Sequence, residues 1–237
     1  MIKTVLFFVS LTLTLIATAP LLLKAKYLGA LGKKDEKADY VERITGRWAR
    51  LVLKLTGSNV KVTGLENIPK DTPVVYICNH QGDCDILAFL GYVPGHKCFI
   101  SKIEVLKVPV LRSWMKAMRC VFMDRNNIKQ SVESINKGID NLRMGYSVII
   151  FPEGTRSKGP EIGEFKPGSF KLATITGIPI VPVTIKNTYR IWEEKKLIRS
   201  ATVEMIISEP VETDYLTKEE IKELPSKVKG IIMNKLY

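Results

Sequence analysis

Apolar residues fall along this chain in blocks, and the length and period of each block predict its element. Val5 to Leu23 is almost entirely apolar, broken only by Ser10, Thr12, Thr14, Thr18 and Pro20, with Lys3 before it and Lys24 and Lys26 after it. A run of about 20 such residues matches the hydrocarbon thickness of a bilayer. Three readings fit it: a helix that spans, a helix that enters one leaflet, or a secretory signal ending at Ala17-Thr18-Ala19. Pro20 directly after that site, and the unpaired cysteines further on, argue against the signal. Leu28 to Lys37 are small or charged and predict a turn. Tyr40, Val41, Ile44, Trp48, Leu51, Val52 and Leu55 then recur at helical spacing, with Arg43, Arg47, Arg50 and Lys54 between them. They predict a basic amphipathic helix over 38–56, closed by Gly57. Such a helix suits a membrane interface or a seat on a domain surface, and the apolar run upstream favours the interface. Residues 1–57 therefore read as an N-terminal membrane-associated helical segment.

From residue 58 the blocks shorten and alternate. Val60 to Val62, Val74 to Cys78, Lys97 to Ile100, Cys120 to Met123, Val148 to Phe151, Ile180 to Ile185 and Val203 to Ile207 predict strands. Ile86 to Leu90, Val108 to Met118, Ile128 to Met144 and Ser169 to Ile175 predict helices, and a last helix starts at Thr217 with Glu220 three residues on. The alternation predicts one α/β domain over 58–237, a mainly parallel sheet flanked by helices. Continuous apolar strands such as Val148 to Phe151 belong in a sheet covered on both faces.

Composition narrows the partners. Among 237 residues, 46% are hydrophobic, which excludes a disordered chain. Thirty-six Lys and Arg against 24 Asp and Glu leave a formal charge of +12. That excess favours nucleic acid, an anionic membrane surface or phosphorylated substrates. Nucleic acid leaves the apolar N-terminus unexplained, and no nucleic-acid motif is present. Cys78, Cys84, Cys98 and Cys120 form no Cys-x-x-Cys pair, and only His80 and His96 could join them. A structural zinc site is not expected, and a reducing compartment fits this cysteine usage better than a disulfide framework.

The chemistry gathers at strand ends. Asn79-His80-Gln81-Gly82-Asp83-Cys84-Asp85 sits between a predicted strand and a predicted helix, a corner where α/β folds place reactive groups. Histidine exchanges protons near neutral pH. A carboxylate at Asp85, across a tight turn, can bond one ring nitrogen and leave the other outward, the base-and-orienter pair of acyl transfer. The second corner is Phe151-Pro152-Glu153-Gly154-Thr155-Arg156-Ser157. Pro152 and Gly154 turn the backbone there, Lys158, Lys166 and Lys171 add positive charge, and the Arg156 fork matches phosphate oxygens in pairs. A solvated Glu153–Arg156 ion pair is the plainer alternative. Phe122-Met123-Asp124-Arg125 ends a third strand, and Arg125 and Lys102 could join Arg156 as phosphate ligands. No Gly-x-Ser-x-Gly elbow is present. Cys84 is a conceivable nucleophile and more naturally a packed core residue. His96 has no comparable context.

These motifs resemble those of the glycerolipid acyltransferases. Asn79-His80 with Asp85 matches that family's His-x4-Asp motif, and Phe151 to Ser157 matches its Phe-Pro-Glu-Gly-Thr-Arg-Ser block without a change. Phe122 to Arg125 resembles the Phe-Ile-Asp-Arg block, and Val181-Pro182-Val183 the later Val-Pro block. The set runs in family order from about residue 58 to 190 and most resembles the 1-acyl-glycerol-3-phosphate acyltransferases. Two departures stand out: Arg119, where the second block usually has glycine, and Asp83, close enough to compete with Asp85 for the imidazole.

The resemblance implies the glycerolipid acyltransferase fold and acyl transfer from acyl-CoA or acyl-ACP to the sn-2 hydroxyl of lysophosphatidate. It implies His80 and Asp85 as the catalytic pair, with Lys102, Arg125, Glu153, Gly154, Thr155 and Arg156 binding substrate. Glu153 would orient Arg156 or bond the glycerol. No cofactor and no metal is expected. The partners implied are a membrane lipid substrate, the acyl donor and an anionic membrane surface, with no nucleic acid, at the cytoplasmic face of the cell membrane. Acylation of glycerol-3-phosphate or another lysophospholipid is an alternative, and so is a non-catalytic lipid-binding protein.

Overall fold

The structure is a computed structural model that describes residues 1–124 and 127–237. Three helices lead the chain: α1 (Ile2–Ala17), α2 (Leu21–Ala30) and α3 (Lys34–Thr56). The turn expected over Leu28 to Lys37 is shorter, because α2 runs on to Ala30 and α3 starts at Lys34. Asp35 and Glu36 in the first turn of α3 suit the positive end of its dipole. Gly57 ends α3 in the left-handed region, at φ 81°. The stretch Ile2–Ala30 is long and apolar enough to cross a membrane.

α1 nevertheless lies along the domain. Lys3 Nζ donates to Thr56 O at 2.9 Å, at the negative end of α3. Thr4 Oγ1 accepts from Ile198 N at 3.0 Å, and Trp114 Nε1 donates to Thr18 Oγ1 at 2.8 Å. Ile2, Val5, Leu6, Val9, Leu13 and Ile16 remain exposed on its outer side.

Seven strands form one sheet in the order β1-β7-β6-β2-β5-β3-β4. They are β1 (Asn59–Thr63), β2 (Val75–Cys78), β3 (Lys97–Lys102), β4 (Val121–Met123), β5 (Ser147–Ile150), β6 (Ile180–Lys186) and β7 (Thr202–Ile207). Among the described residues, β6–β7 is the one antiparallel pairing between these strands, beside an isolated antiparallel bridge from Ile180 to Val211. In the centre, Ile77 is flanked by Ile150 of β5 and Pro182 of β6, and β5 pairs in turn with β3. β6, β2, β5 and β3 therefore end on one edge. Pro182 costs no strand here because its neighbours stay paired around it, although a proline offers no N–H to the ladder.

Helices cover both faces. Phe89 of α4 (Cys84–Tyr92) meets Tyr76 edge to face at 5.6 Å and Phe99 at 6.4 Å. Tyr76 is the register partner of Val181, so Thr184, three residues on, points to the opposite face. There its hydroxyl donates to Ile232 O in α8 (Lys218–Leu236). α6 (Ile128–Arg143) and the short α7 (Lys171–Thr176) pack together. α5 (Pro109–Ala117) opens with proline, as that fixed φ allows. Thr217 and Glu220 form the expected capping box at the start of α8.

The amphipathic helix α3 spends its apolar face on the domain. Its main partner is α4. Val41, Ala49, Val52 and Leu53 are buried, and Arg50 Nη1 caps α4 by donating to Gly91 O at 2.5 Å. Packing on α4 removes that apolar stripe from water as well as a membrane interface would, and Trp48 Nε1 is itself buried. Leu51 and Leu55 stay exposed.

Candidate active site

β2 ends at Cys78, and the side chain of Asn79 takes over its hydrogen bonding. Asn79 Nδ2 donates to Ile185 O and Oδ1 accepts from Ile185 N, each at 2.8 Å. The amide thus copies one more strand bridge to β6 and frees the backbone to turn outward at His80. Asp83 precedes α4, and Asp85 sits in its first turn, fully buried.

That burial requires partners for the carboxylate, and three donors converge on it. His80 Nδ1 lies 2.7 Å from Asp85 Oδ2, and Gly82 N donates to the same oxygen at 2.9 Å. Thr188 Oγ1 donates to Oδ1. Phe151 stacks on the imidazole, ring centroids 4.0 Å apart and planes 20° apart. The ring is held at one nitrogen and on one face. Among the described residues nothing bonds Nε2.

The second motif comes alongside because β5 neighbours β2. The parallel pairing continues past the strand ends: Ser157 N donates to His80 O at 2.8 Å and Lys158 N to Gln81 O at 3.2 Å. Glu153, buried, accepts His80 N at 2.7 Å on Oε1 and Gly163 N at 2.8 Å on Oε2. Both oxygens are engaged by backbone, so Glu153 does not orient Arg156 as expected. Burial, first, raises its carboxyl above the ordinary range, against the pull of those two N–H donors. Gly154 adopts φ 72°, and a Cβ there would come within 2.9 Å of Lys166 Nζ. Thr155 is exposed at the tip of this turn.

Arg156 pairs with Asp83, through Nη1 and Oδ2, and with Glu193 Oε1 at 3.3 Å. Asp83 is therefore engaged by the guanidinium and does not compete for the imidazole. Glu193 also accepts Asp83 N at 2.9 Å. Burial, first, raises the Glu193 carboxyl, against the pull of the Asp83 N–H it accepts. Lys102 ends β3 on the same edge, exposed, with its ammonium 2.7 Å from Glu104. Arg125 lies outside the described residues. Cys84 is buried, and burial pushes its thiol well above the usual range, which disfavours the nucleophilic thiolate. All four cysteines are free and buried. His96 sits at the other end of the sheet, with Nε2 2.8 Å from Asp39. Arg119 adopts φ 63°, a conformation suited to glycine. It is held there by mutual bonds with Asn141, Nε to Oδ1 at 2.9 Å and O from Nδ2 at 2.8 Å.

Glu193 and Thr188 carry no motif spacing. The available signal was positional: both follow a predicted strand, Ile180 to Ile185, whose end shares the edge with His80.

An α/β sheet with a His–Asp pair and an arginine turn on adjacent strand ends has the layout of an acyltransferase domain. The acyltransferase family model matches residues 59–186. A 1-acyl-sn-glycerol-3-phosphate acyltransferase of Saccharomyces cerevisiae is 35% identical over 206 residues, 84% of this chain and 67% of that protein. A chloroplastic enzyme of the same name from Brassica napus is 37% identical over 153 residues, 63% of this chain. The chain spans only 44% of that plant relative's length. The crystal structure of the 1-acyl-sn-glycerophosphate acyltransferase PlsC from Thermotoga maritima superimposes with a TM-score of 0.79 at 28% identity, covering 99% of this chain and 95% of that one. The chain belongs to the 1-acyl-sn-glycerol-3-phosphate acyltransferase family.

Proposed function

We propose that this protein moves an acyl group from a thioester, acyl-CoA or acyl-ACP, to the sn-2 hydroxyl of 1-acyl-glycerol-3-phosphate, giving phosphatidic acid. The buried Asp85 against His80 Nδ1 is the observation that carries it. With Nδ1 held, Nε2 takes the hydroxyl proton as the oxygen attacks the thioester carbonyl. The tetrahedral adduct then collapses, the carbon–sulfur bond breaks, and the thiolate recovers the proton from the imidazolium. Asp85 steadies that imidazolium. General-base help of this kind contributes roughly 10²–10⁴-fold.

Arg156 takes the acceptor's phosphate and holds the hydroxyl near His80, with Lys102 and Arg125 adding charge and Gly154 and Thr155 shaping the turn. Glu153 acts on the backbone between the two motifs rather than on substrate. The thioester brings the acyl group, so no cofactor or metal enters the scheme. Lysophosphatidate is a bilayer lipid, and the exposed apolar side of α1 and α2 would hold the protein at the membrane where it resides. Both candidate donors are cytoplasmic anions, which supports an active edge on the cytoplasmic face of the cell membrane and suits the +12 charge.

The test is thiol release from acyl-CoA with lysophosphatidate in mixed micelles. Release by the wild type that falls by roughly 10²-fold or more in His80→Ala supports the proposal. A wild type that binds both substrates and releases no thiol, with either donor, refutes it.

A further inference from the structure

The arginine of the second motif is not an open anion seat. Two carboxylates already meet it, and they differ in how firmly they are held. The Asp83 side chain is 68% exposed and that of Glu193 1% exposed, with Arg156 between them at 34%. Glu193 Oε1 accepts both Asp83 N and Arg156 Nη1. Its Oε2 is buried without a hydrogen-bond partner and lies against Gly82, where a Cβ would come within 2.5 Å of it. Glu193 is thereby wedged in place by the turn that carries His80.

Resting on the acyl-transfer reading, we infer that Asp83 is a displaceable occupant of the acceptor-phosphate seat at Arg156, and that Glu193 is the positioning residue that keeps the guanidinium aimed there. An exposed ion pair holds weakly, because both partners are well solvated apart. A phosphate monoester brings three acceptor oxygens and more charge than a carboxylate, in a geometry the arginine fork matches. When it arrives, the Asp83 side chain returns to water, while the Asp83 N–H stays on Glu193 and the His80 turn keeps its shape. The guanidinium exchanges one anion for another and is never left uncompensated. Competition of this kind weakens binding of every phosphate-bearing acceptor and leaves a phosphate-free one untouched.

The experiment is calorimetric binding of lysophosphatidate and of monoacylglycerol to the full-length protein in detergent, with thiol release measured alongside. Asp83→Asn is expected to tighten lysophosphatidate binding by roughly two- to fivefold, the scale of an exposed ion pair, and to leave monoacylglycerol binding where it was. Glu193→Ala is expected to weaken lysophosphatidate binding, and Glu193→Gln, which keeps the Oε1 acceptor, to restore it. Unchanged or weaker lysophosphatidate binding in Asp83→Asn overturns the inference. So does a Glu193→Gln protein that binds as poorly as Glu193→Ala. If Glu193→Ala fails to fold, the exposed Asp83 variant still decides. Thiol release present in every variant, with lysophosphatidate binding unchanged in Asp83→Asn, defeats the inference alone and leaves the acyl-transfer reading standing. Tightening without thiol release in any variant supports the seat and defeats the acyl-transfer reading.

Discussion

The carboxylate of Glu153 accepts the backbone N–H of His80 at 2.7 Å, so the second motif holds the first by its main chain. The other Glu153 oxygen holds Gly163 N. Glu153→Gln sets an amide NH2 against one of these buried donors. Leaving one donor unsatisfied costs about 1–3 kcal/mol. Thermal unfolding and thiol release should fall together in this variant. A drop in acceptor affinity with stability intact would instead make Glu153 a substrate ligand.

Asp85 and Thr188 act on His80 from behind. Asp85→Asn keeps the volume but presents an amide to three donors, and turnover should fall by roughly 10²–10⁴-fold with little change in KM. Thr188→Val removes one donor to Asp85 Oδ1 and should cost less, in turnover again. Equal losses in KM and turnover in both variants would show that the pair serves binding, and steady-state kinetics separates the two.

Burial raises the Glu193 carboxyl, and a pH dependence follows. The folded protein binds this proton more tightly than the unfolded chain does. Its contribution to stability is fully present below the ordinary glutamate value of about 4.3 and is lost as pH rises through the higher folded value. Glu193→Gln has no such proton. The melting temperature of Glu193→Gln minus that of wild type should therefore grow as pH rises from about 4 to 8. A difference that stays flat across this range would mean the carboxyl is not raised.

Val9 and Leu13 are 50% and 61% exposed on the outer side of α1. A central aspartate in a membrane-embedded helix costs about 2.5–3.5 kcal/mol. Val9→Asp combined with Leu13→Asp should release the protein from anionic vesicles in co-sedimentation while its unfolding in detergent is unchanged. Undiminished sedimentation would assign vesicle binding to another surface. Deleting residues 1–57 is the poorer test, because α3 buries Val52 and Leu53 in the core.

The elements and the chemistry were legible along the chain because they are local. Short apolar runs bounded by Pro, Gly and polar residues placed all seven strands to within a residue or two. His80 and Asp85 are five residues apart across one turn, so their meeting depends on local geometry alone. What each helix packs against was not legible: the stripe on α3 fits a membrane and α4 equally well, since apolar burial has no directional signature. Nor were the partners of Arg156. Glu153 stands three residues before it, yet bonds His80 and Gly163, while Asp83 and Glu193 reach the guanidinium from two other strand ends. Strand order alone decided that, because β2, β5 and β6 become neighbours only when the sheet assembles. Thr188 reaches Asp85 for the same reason, from 103 residues away.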